Sequence, residues 1–496
     1  MINPACEWGL AIWNTKGTQL AEKTEKVSMA TMIGYGSGAL GYAAAANLFF
    51  VFFLFFLTTV AGFNPAIGGI IILISVLWDG ITDPLVGYLS DNSRMKHGKR
   101  RPFILIGTIP VAVTTVLMFT DVSFVTGTAK QIYFIGLNML FWLFFTTVDI
   151  PWATLGSELT EDYNEKTKIR TVSVVFLQVG VLLEMVATPL LIARGTQKYG
   201  TEAAGWTYMA SLCGAFILAT YLISWNFTRG KEPLERPKEE KQGKKFILIK
   251  QIGTALKNRS MRYLLGATFT LIAALSGILP AFLMFLLKFN LGFENEVDQS
   301  LYLGIFSVSA IAFTPLAGWV STRFSKSLGK AKTLGYFGTI TGALLVSGKI
   351  IGITPAMMVV LLVTTGLGQA AFFVFIYVLA YDVAAVLAYK TGRNMDALVV
   401  SVMSFFLKLG MATGIGLSGV MLSAVGFNES AAVQTPSALA GIETCFCVFG
   451  GLVVLLGTIF CFKFPITQQK YDALKEAAEK KSTGEMYSEA SFADIL

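Results

Sequence analysis

Histidine is nearly missing: one, His97, serves 496 residues, and it stands in a run of Lys and Arg. No Ser-His-Asp set can be built from it, and no glycine-rich phosphate loop is evident, which argues against an enzyme. The five cysteines, Cys6, Cys213, Cys445, Cys447 and Cys461, are odd in number and scattered. They suggest neither a disulfide framework nor a zinc site. Charge is scarce as well, 14% of residues against 54% hydrophobic, with a mean hydropathy of +0.63. Soluble domains carry about 25% charge, so this composition excludes them, and apolar runs long enough to cross a bilayer recur throughout. The chain reads as a polytopic membrane protein. Its formal charge of +8 would suit nucleic acid, but the basic residues stand in short turns between apolar runs, where the positive-inside rule accounts for them. No nucleic-acid partner is expected. Residues 1–27 are polar and mixed in charge, without a basic stretch leading to a cleavage site, so no removable signal peptide is expected.

What is present is a set of twelve candidate spans, at 31–59, 65–91, 102–121, 131–156, 171–194, 204–226, 261–288, 299–323, 333–353, 355–382, 396–425 and 438–464. Alternate turns are rich in Lys and Arg: Lys16, Lys23 and Lys26 before the first span, Arg94 to Arg101 after the second, Lys166 to Arg170 after the fourth. Arg323 to Lys332 follow the eighth, and Lys390 and Arg393 the tenth. The other turns are poorer, which puts both termini on the cytoplasmic side of a cell membrane. Residues 227–260 form the one long hydrophilic connection and divide six spans from six. The expected organisation is an N-terminal segment (1–30), a bundle (31–226), that central loop, a second bundle (261–464) and a tail (465–496). Phe246 to Leu256 mixes apolar residues with lysines, and either lies along the inner membrane surface or is a solvated tether. Two six-span halves about a cytoplasmic loop is the major facilitator architecture, whose substrate site lies where the halves meet.

The second span carries the chemistry. Asp79, Thr82 and Asp83 stand at i, i+3 and i+4, so a helix puts their oxygens on one face. Pro84 frees the Gly80 carbonyl between the acids, completing a pocket of hard oxygen ligands that suits an alkali cation. An Asp at the centre of a membrane helix costs about 2.5 to 3.5 kcal/mol on insertion scales, so a pair points to function. The fourth span repeats the logic on a helix broken at Pro151, with Thr146 and Asp149 on one face. Each acid has a plainer alternative, pairing with a cation from another helix. The first span offers a cavity no charge: Gly34, Gly36, Gly38 and Gly41 suit close helix approach, and Tyr42 and Asn47 are its obvious polar contacts. Glu184 and Lys408 lie well inside apolar sequence, and each should face the interior and find a partner. For Lys408 that partner is an acid from another helix, the second span's acids being candidates. Lys288 and Lys349 read as snorkelling. Asp382 and Asp396 flank the turn holding Lys390 and Arg393, as a gate ion pair or as ordinary turn charges, and Asp382 is grouped with Glu184 and Lys408 as a candidate for charge pairing inside the membrane.

The stretch Trp78 to Asp91, WDGITDPLVGYLSD, with His97 to Pro102, HGKRRP, resembles the glycoside-pentoside-hexuronide:cation symporter family, the melibiose-permease type of major facilitator. GYGSGALG in the first span, VDIPWATL in the fourth, the Lys390 turn and Lys408 extend the likeness over both halves. The resemblance implies an all-α fold of twelve transmembrane helices in two bundles. It implies a sodium site at Asp79, Thr82, Asp83 and Thr146, and a substrate site that includes Asp149. Lys390 matches a family lysine close to both sites. Gly87, Asp91, Gly98, Arg100 and Arg101 match the facilitator signature that latches helix ends on the cytoplasmic side, and Arg393 belongs to the second gate. The family's galactoside clamp is largely gone. Its lysine-aspartate pair falls on Tyr42 and Ala43, its arginine on Val175, and its tryptophan stands one position early as Trp152, with Ala153 in its place.

These residues imply a monomeric carrier that moves a small solute with Na+, or alternatively H+, by alternating access, using no cofactor beyond the coupling ion. Glycosides are the family's usual cargo, while the bleached first helix favours an amphipathic one such as a steroid conjugate or lysolipid. Substrate contacts are expected from Tyr42, Asn47, Asp149, Trp152 and Lys390. Under proton coupling, the Asp pair and Glu184 are the titrating groups. A transport-dead receptor on the same fold is the remaining class.

Overall fold

In hydrocarbon every backbone N–H and C=O must be satisfied within the chain, so each long apolar run closes on itself as a helix. A computed structural model describes residues 27–91, 93, 95, 98–160, 163–231, 253, 255–293, 295–392, 395–431, 433–483 and 486–496. Among these are twelve helices long and apolar enough to cross a membrane. They are α1 (Met29–Thr59), α2 (Pro65–Asp91), α3 (Arg101–Met118), α4 (Gly127–Glu158), α5 (Tyr163–Tyr199) and α6 (Glu202–Phe227) in the first bundle. The second bundle has α7 (Arg259–Asn290), α8 (Glu296–Leu328), α9 (Lys330–Ile351), α10 (Pro355–Thr391), α11 (Asp396–Ala424) and α12 (Pro436–Phe462), and a shorter α13 (Gln468–Thr483) follows. Side-chain caps start several of them: the Ser28, Thr354 and Thr435 hydroxyls accept from the backbone N–H groups of Thr31, Met357 and Ala438. The lysines before α1, Arg94, Lys96, His97, Arg393 and nearly all of the central loop lie outside the described residues.

Two features depart from the sequence reading. The helix over the fourth span is not broken: α2 and α4 run through Pro84 and Pro151, each proline removing one ladder bond without ending the helix. Several helices also outrun their apolar cores. α5 and α10 have 37 residues each, on the order of 55 Å at 1.5 Å per residue, against about 30 Å of hydrocarbon. Their ends therefore stand clear of the bilayer. Gly392, at φ +65°, closes α10 in the left-handed conformation that glycine adopts freely.

The bundles repeat one packing plan. α1 packs on α5 and α6 as α7 packs on α11 and α12; α2 packs on α4 as α8 does on α10. Across the bundles α2 meets α11 and α5 meets α8, contacts that the same twofold relation exchanges. Small residues make these approaches possible. A Cβ on Gly69 would lie 2.5 Å from the Gly416 carbonyl oxygen, and one on Gly419 would lie 2.2 Å from that of Pro65. Both contacts lie toward the face remote from the start of α1 and the end of α12, called here the far face. On that side α1 and α7 also meet, with the Phe55 and Phe285 rings 5.0 Å apart, and Lys288 of α7 reaches Glu202 of α6 at 3.0 Å. The two bundles are thus shut together at the far face.

At the opposite, terminal face the segment after α13 folds back on the second bundle. Phe492 and Ile495 are buried, the Asn258 amide donates to the Ile495 carbonyl (3.1 Å), and the Tyr389 hydroxyl donates to Glu489 (2.7 Å). Lys390 donates to the carbonyl of Leu496.

Candidate cation and substrate site

Helical spacing puts Asp79, Thr82 and Asp83 on the face of α2 that looks into the junction of α2, α4 and α11. The Trp78 indole fixes that face by donating to the Met139 carbonyl of α4 (3.0 Å). Asp79 is fully buried, while the Asp83 side chain keeps 23% of its exposure. The Thr146 hydroxyl of α4 lies 2.7 Å from Asp79 Oδ1 and 3.1 Å from Asp83 Oδ1. A hydroxyl has a single proton, so it satisfies one of these oxygens at a time. From the other bundle, Lys408 Nζ of α11 donates to Asp79 Oδ2 (2.6 Å) and Asp83 Oδ2 (2.5 Å). The lysine is thus the cation that these acids hold in this conformation. Its side chain keeps 27% of its exposure.

Thr82 is buried on the same face, but its hydroxyl donates to its own helix, at the Asp79 carbonyl (3.1 Å). Asp149 lies one turn beyond Thr146, half-buried, and makes no hydrogen bond or ion pair among the described residues. It interacts electrostatically with Asp79, Asp83, Lys408 and Arg170. Tyr42 of α1 stands in the same field, its ring 5.4 Å from Phe145. The Phe405 ring of α11 closes over Gly80, where a Cβ would meet it at 3.0 Å. The cluster is therefore an acidic floor with one ammonium across it, walled by Tyr42, Phe145 and Phe405.

Several expectations are corrected. Trp152 does not line this space: its indole donates to the Tyr35 carbonyl (3.2 Å) and Ser224 Oγ (3.1 Å), and the Tyr35 hydroxyl returns a bond to the Trp152 carbonyl (3.2 Å). The ring stacks on Tyr35 at 5.0 Å and lies against Gly38, clamping α4 to α1 and α6. The cause is the one-residue displacement, which rotates the side chain by about 100° around the helix. Lys390 is far from the acids, because α10 continues past its apolar run and carries Lys390 in its last turn, against the C-terminal segment. The lysine close to the acids is Lys408. Asn47 donates to the Ala43 carbonyl of its own helix (3.0 Å), where α1 opens into a π-helical turn at Leu48–Phe52.

Glu184 is buried without a basic partner among the described residues. Thr188 donates to one of its oxygens (3.1 Å), and the other has no hydrogen bond. Asp382 pairs with Lys330 of α9 (2.9 Å) rather than with the Lys390 turn. In the first bundle Arg100 joins Ser90 of α2 (2.8 Å) to Glu158 of α4 (3.1 Å). Arg101 donates to the Trp225 carbonyl of α6 (2.9 Å) and lies 4.6 Å above its ring. Gly98, at φ +108°, makes the turn that delivers both arginines. Gly87 lies opposite Ile150 of α4, while the Asp91 side chain and all of Arg393 are outside the described residues. Neither Glu158 nor Lys330 stood out as a partner in the sequence, since both stand among ordinary turn charges.

Two twofold-related bundles of six helices meeting at such a cluster are the build of a major facilitator transporter. A solved structure agrees: a bacterial homologue of the human lysosomal transporter Spinster, inward-facing and occupied, matches with TM-score 0.66 at 15% identity, over 89% of this chain and 97% of that one. That likeness carries the fold alone. The family model described as MFS/sugar transport protein matches residues 34–468, and the chain belongs to this family, the glycoside-pentoside-hexuronide symporters. The Bacillus subtilis symporter YnaJ is 27% identical over 93% of this chain and 97% of its own length. The putative glycoside/cation symporter YagG of Escherichia coli is 27% identical over 87% and 92%. The sodium-dependent lysophosphatidylcholine symporter 1 of Xenopus tropicalis is 23% identical over 96% and 95%. The protein is a multi-pass membrane symporter of the major facilitator type.

Proposed function

We propose that this symporter uses a Na+ gradient to accumulate a glycoside-like or amphipathic organic solute, with Asp79, Asp83 and Thr146 as the cation site and Asp149 and Tyr42 on the substrate side. One observation carries the reading. Two carboxylates face a single ammonium, so with all three ionised one negative charge stays uncompensated in a largely buried place. Burying it costs several kcal/mol, and a small monovalent cation bound beside the Thr146 hydroxyl removes that cost. Arrival of the ion frees Lys408 from part of its attachment to α2 and so loosens the contact between bundles. Solute then binds between the halves, and the loaded carrier rocks.

The solute class rests on the walls. Asp149 offers one acceptor free of protein donors, and the remaining contacts are aromatic, which suits a cargo with a polar end and an apolar body. Two relatives whose names mention a glycoside and lysophosphatidylcholine bracket that range. In this reading the termini are cytoplasmic, the bundles are joined by the 227–260 loop, and a monomer in the cell membrane is the working unit, surrounded by lipid.

A proton could cancel the same charge, and the buried Glu184, without a basic partner, favours that second reading. Proteoliposome uptake separates the two. An inward Na+ gradient at equal pH should drive accumulation of a glycoside or lysolipid, and Asp83→Ala should abolish it. Accumulation that follows a pH gradient and ignores Na+ would transfer the coupling to protons.

A further inference from the structure

The cations of the terminal face fall into two groups. Some are neutralised by acids: Arg100 by Glu158, Lys168 by Glu165, Lys330 by Asp382, Lys470 by Asp494 and Lys480 by Glu476. Three are not. The side chains of Arg259 and Arg262, in the first turn of α7, and of Lys463, just past the end of α12, make no hydrogen bond or ion pair among the described residues. They surround one groove, whose other lining residues are Tyr263, Ile459 and Phe460, and no acid is among them.

The groove has a built floor. Phe460 seats its ring on α7 where Gly266 leaves room, since a Cβ there would lie 2.6 Å from the ring. Tyr263 meets Phe460 edge-on at 6.3 Å, and the Arg259 guanidinium lies 5.8 Å from the Tyr263 ring centre. Depth sorts these side chains. Tyr263 is four residues inside Arg259, and Phe460 three inside Lys463, so the rings start about 4 to 6 Å deeper in the membrane than these two charges, while Arg262 starts beside Tyr263 with an exposed side chain long enough to reach back to the surface. Cations at headgroup level above an aromatic trough one turn down match a molecule with an anionic head and hydrocarbon tails.

We propose that this groove between α7 and α12 is a binding site for an anionic diacyl phospholipid. The phosphodiester lies among Arg259, Arg262 and Lys463, and the first acyl carbons lie on Phe460 and Tyr263. The site is outside the transport path and independent of the coupling ion. Each basic side chain at a membrane surface contributes about 1 kcal/mol toward anionic lipid, so losing all three should weaken binding on the order of a hundredfold.

The test uses the purified full chain in mild detergent with phosphatidylglycerol or phosphatidylcholine added. Lipids retained are read by native mass spectrometry, and thermal stabilisation by unfolding midpoint. Wild type should retain phosphatidylglycerol in preference to phosphatidylcholine and gain a higher midpoint from it. R259Q/R262Q/K463Q should lose both preferences, while its midpoint in phosphatidylcholine matches wild type. R229Q/K231Q/K257Q, with the same change in net charge on the same face, should keep them. If the groove variant fails to fold, R262Q alone should still show several-fold weaker retention. Equal retention of the two lipids by wild type, an unchanged preference in the groove variant, or equal loss in the control variant would overturn the proposal. So would the same stabilisation by glycerol phosphate, which has the head and no tails.

Discussion

The two bundles share a packing plan but not a charge pattern. The first places Asp79, Asp83, Asp149 and Glu184 within its spans. The second answers at the centre with Lys408, and its own buried acid, Asp382, is neutralised at home by Lys330. Near the centre, then, the first bundle is short of positive charge and the second supplies it across the interface. Any ligand that changes the charge near Asp79 also changes how firmly the bundles hold one another. In a fold whose halves must separate and rejoin, that asymmetry ties ion occupancy to conformation.

Removing an acid breaks the comparison most severely. Asp79→Asn leaves one carboxylate against one ammonium, which needs no further cation. Since disrupting a buried charge set costs about 3 to 5 kcal/mol, Na+ binding measured by calorimetry should weaken on the order of a hundredfold or more. Lys408→Met breaks it from the other side, leaving two acids and no internal cation. This variant should melt earlier than wild type without Na+ and be stabilised by Na+ more than wild type is. A Na+ response equal to that of wild type would mean that the lysine and the ion do not share the acids.

Gly69→Val probes the closed far face without touching a charge. Its side chain would run into the Gly416 carbonyl, and overpacking of this kind costs about 1 to 3 kcal/mol. Distances between spin labels on α2 and α11 at that face should shift toward the open population by roughly tenfold. Trp152→Phe should cost about 1 kcal/mol of stability through its lost hydrogen bonds while leaving the KM for solute unchanged, because the indole clamps helices. Smallest is Lys288→Gln: the Lys288 to Glu202 pair crosses the bundles too, but it is exposed, and such pairs contribute about 0 to 1 kcal/mol. Uptake should change little.

The fold was legible because each helix announced itself as a long apolar run, and the run lengths bounded the helices to within a few residues except where α5, α8 and α10 continue into water. The pairing of Lys408 with an acid of α2 was open to inference, since an ammonium deep in a helix must find a carboxylate. Where the sequence reading went astray, direction was the missing quantity. One residue of displacement turned Trp152 from the cavity to a helix seam, and nine residues of extra helix carried Lys390 out of reach of it. Asp382 was expected to pair, and it does, but its partner was not legible because Lys330 lies 52 residues away, across a loop, among lysines that look alike in a string of letters. Glu184 shows the limit of the rule itself, for a carboxyl can be buried on a single hydroxyl without any counter-charge.

The folded-back segment after α13 touches α7 and α10 through Asn258, Tyr389 and Lys390. Whatever rigid rotation the second bundle undergoes, this appendage must travel with it as a passenger. A dye fixed to Ser488, watched against one on the loop between α4 and α5, would therefore work as a pointer on a dial, turning the rocking of the whole carrier into a change in energy transfer that can be followed while solute is moving.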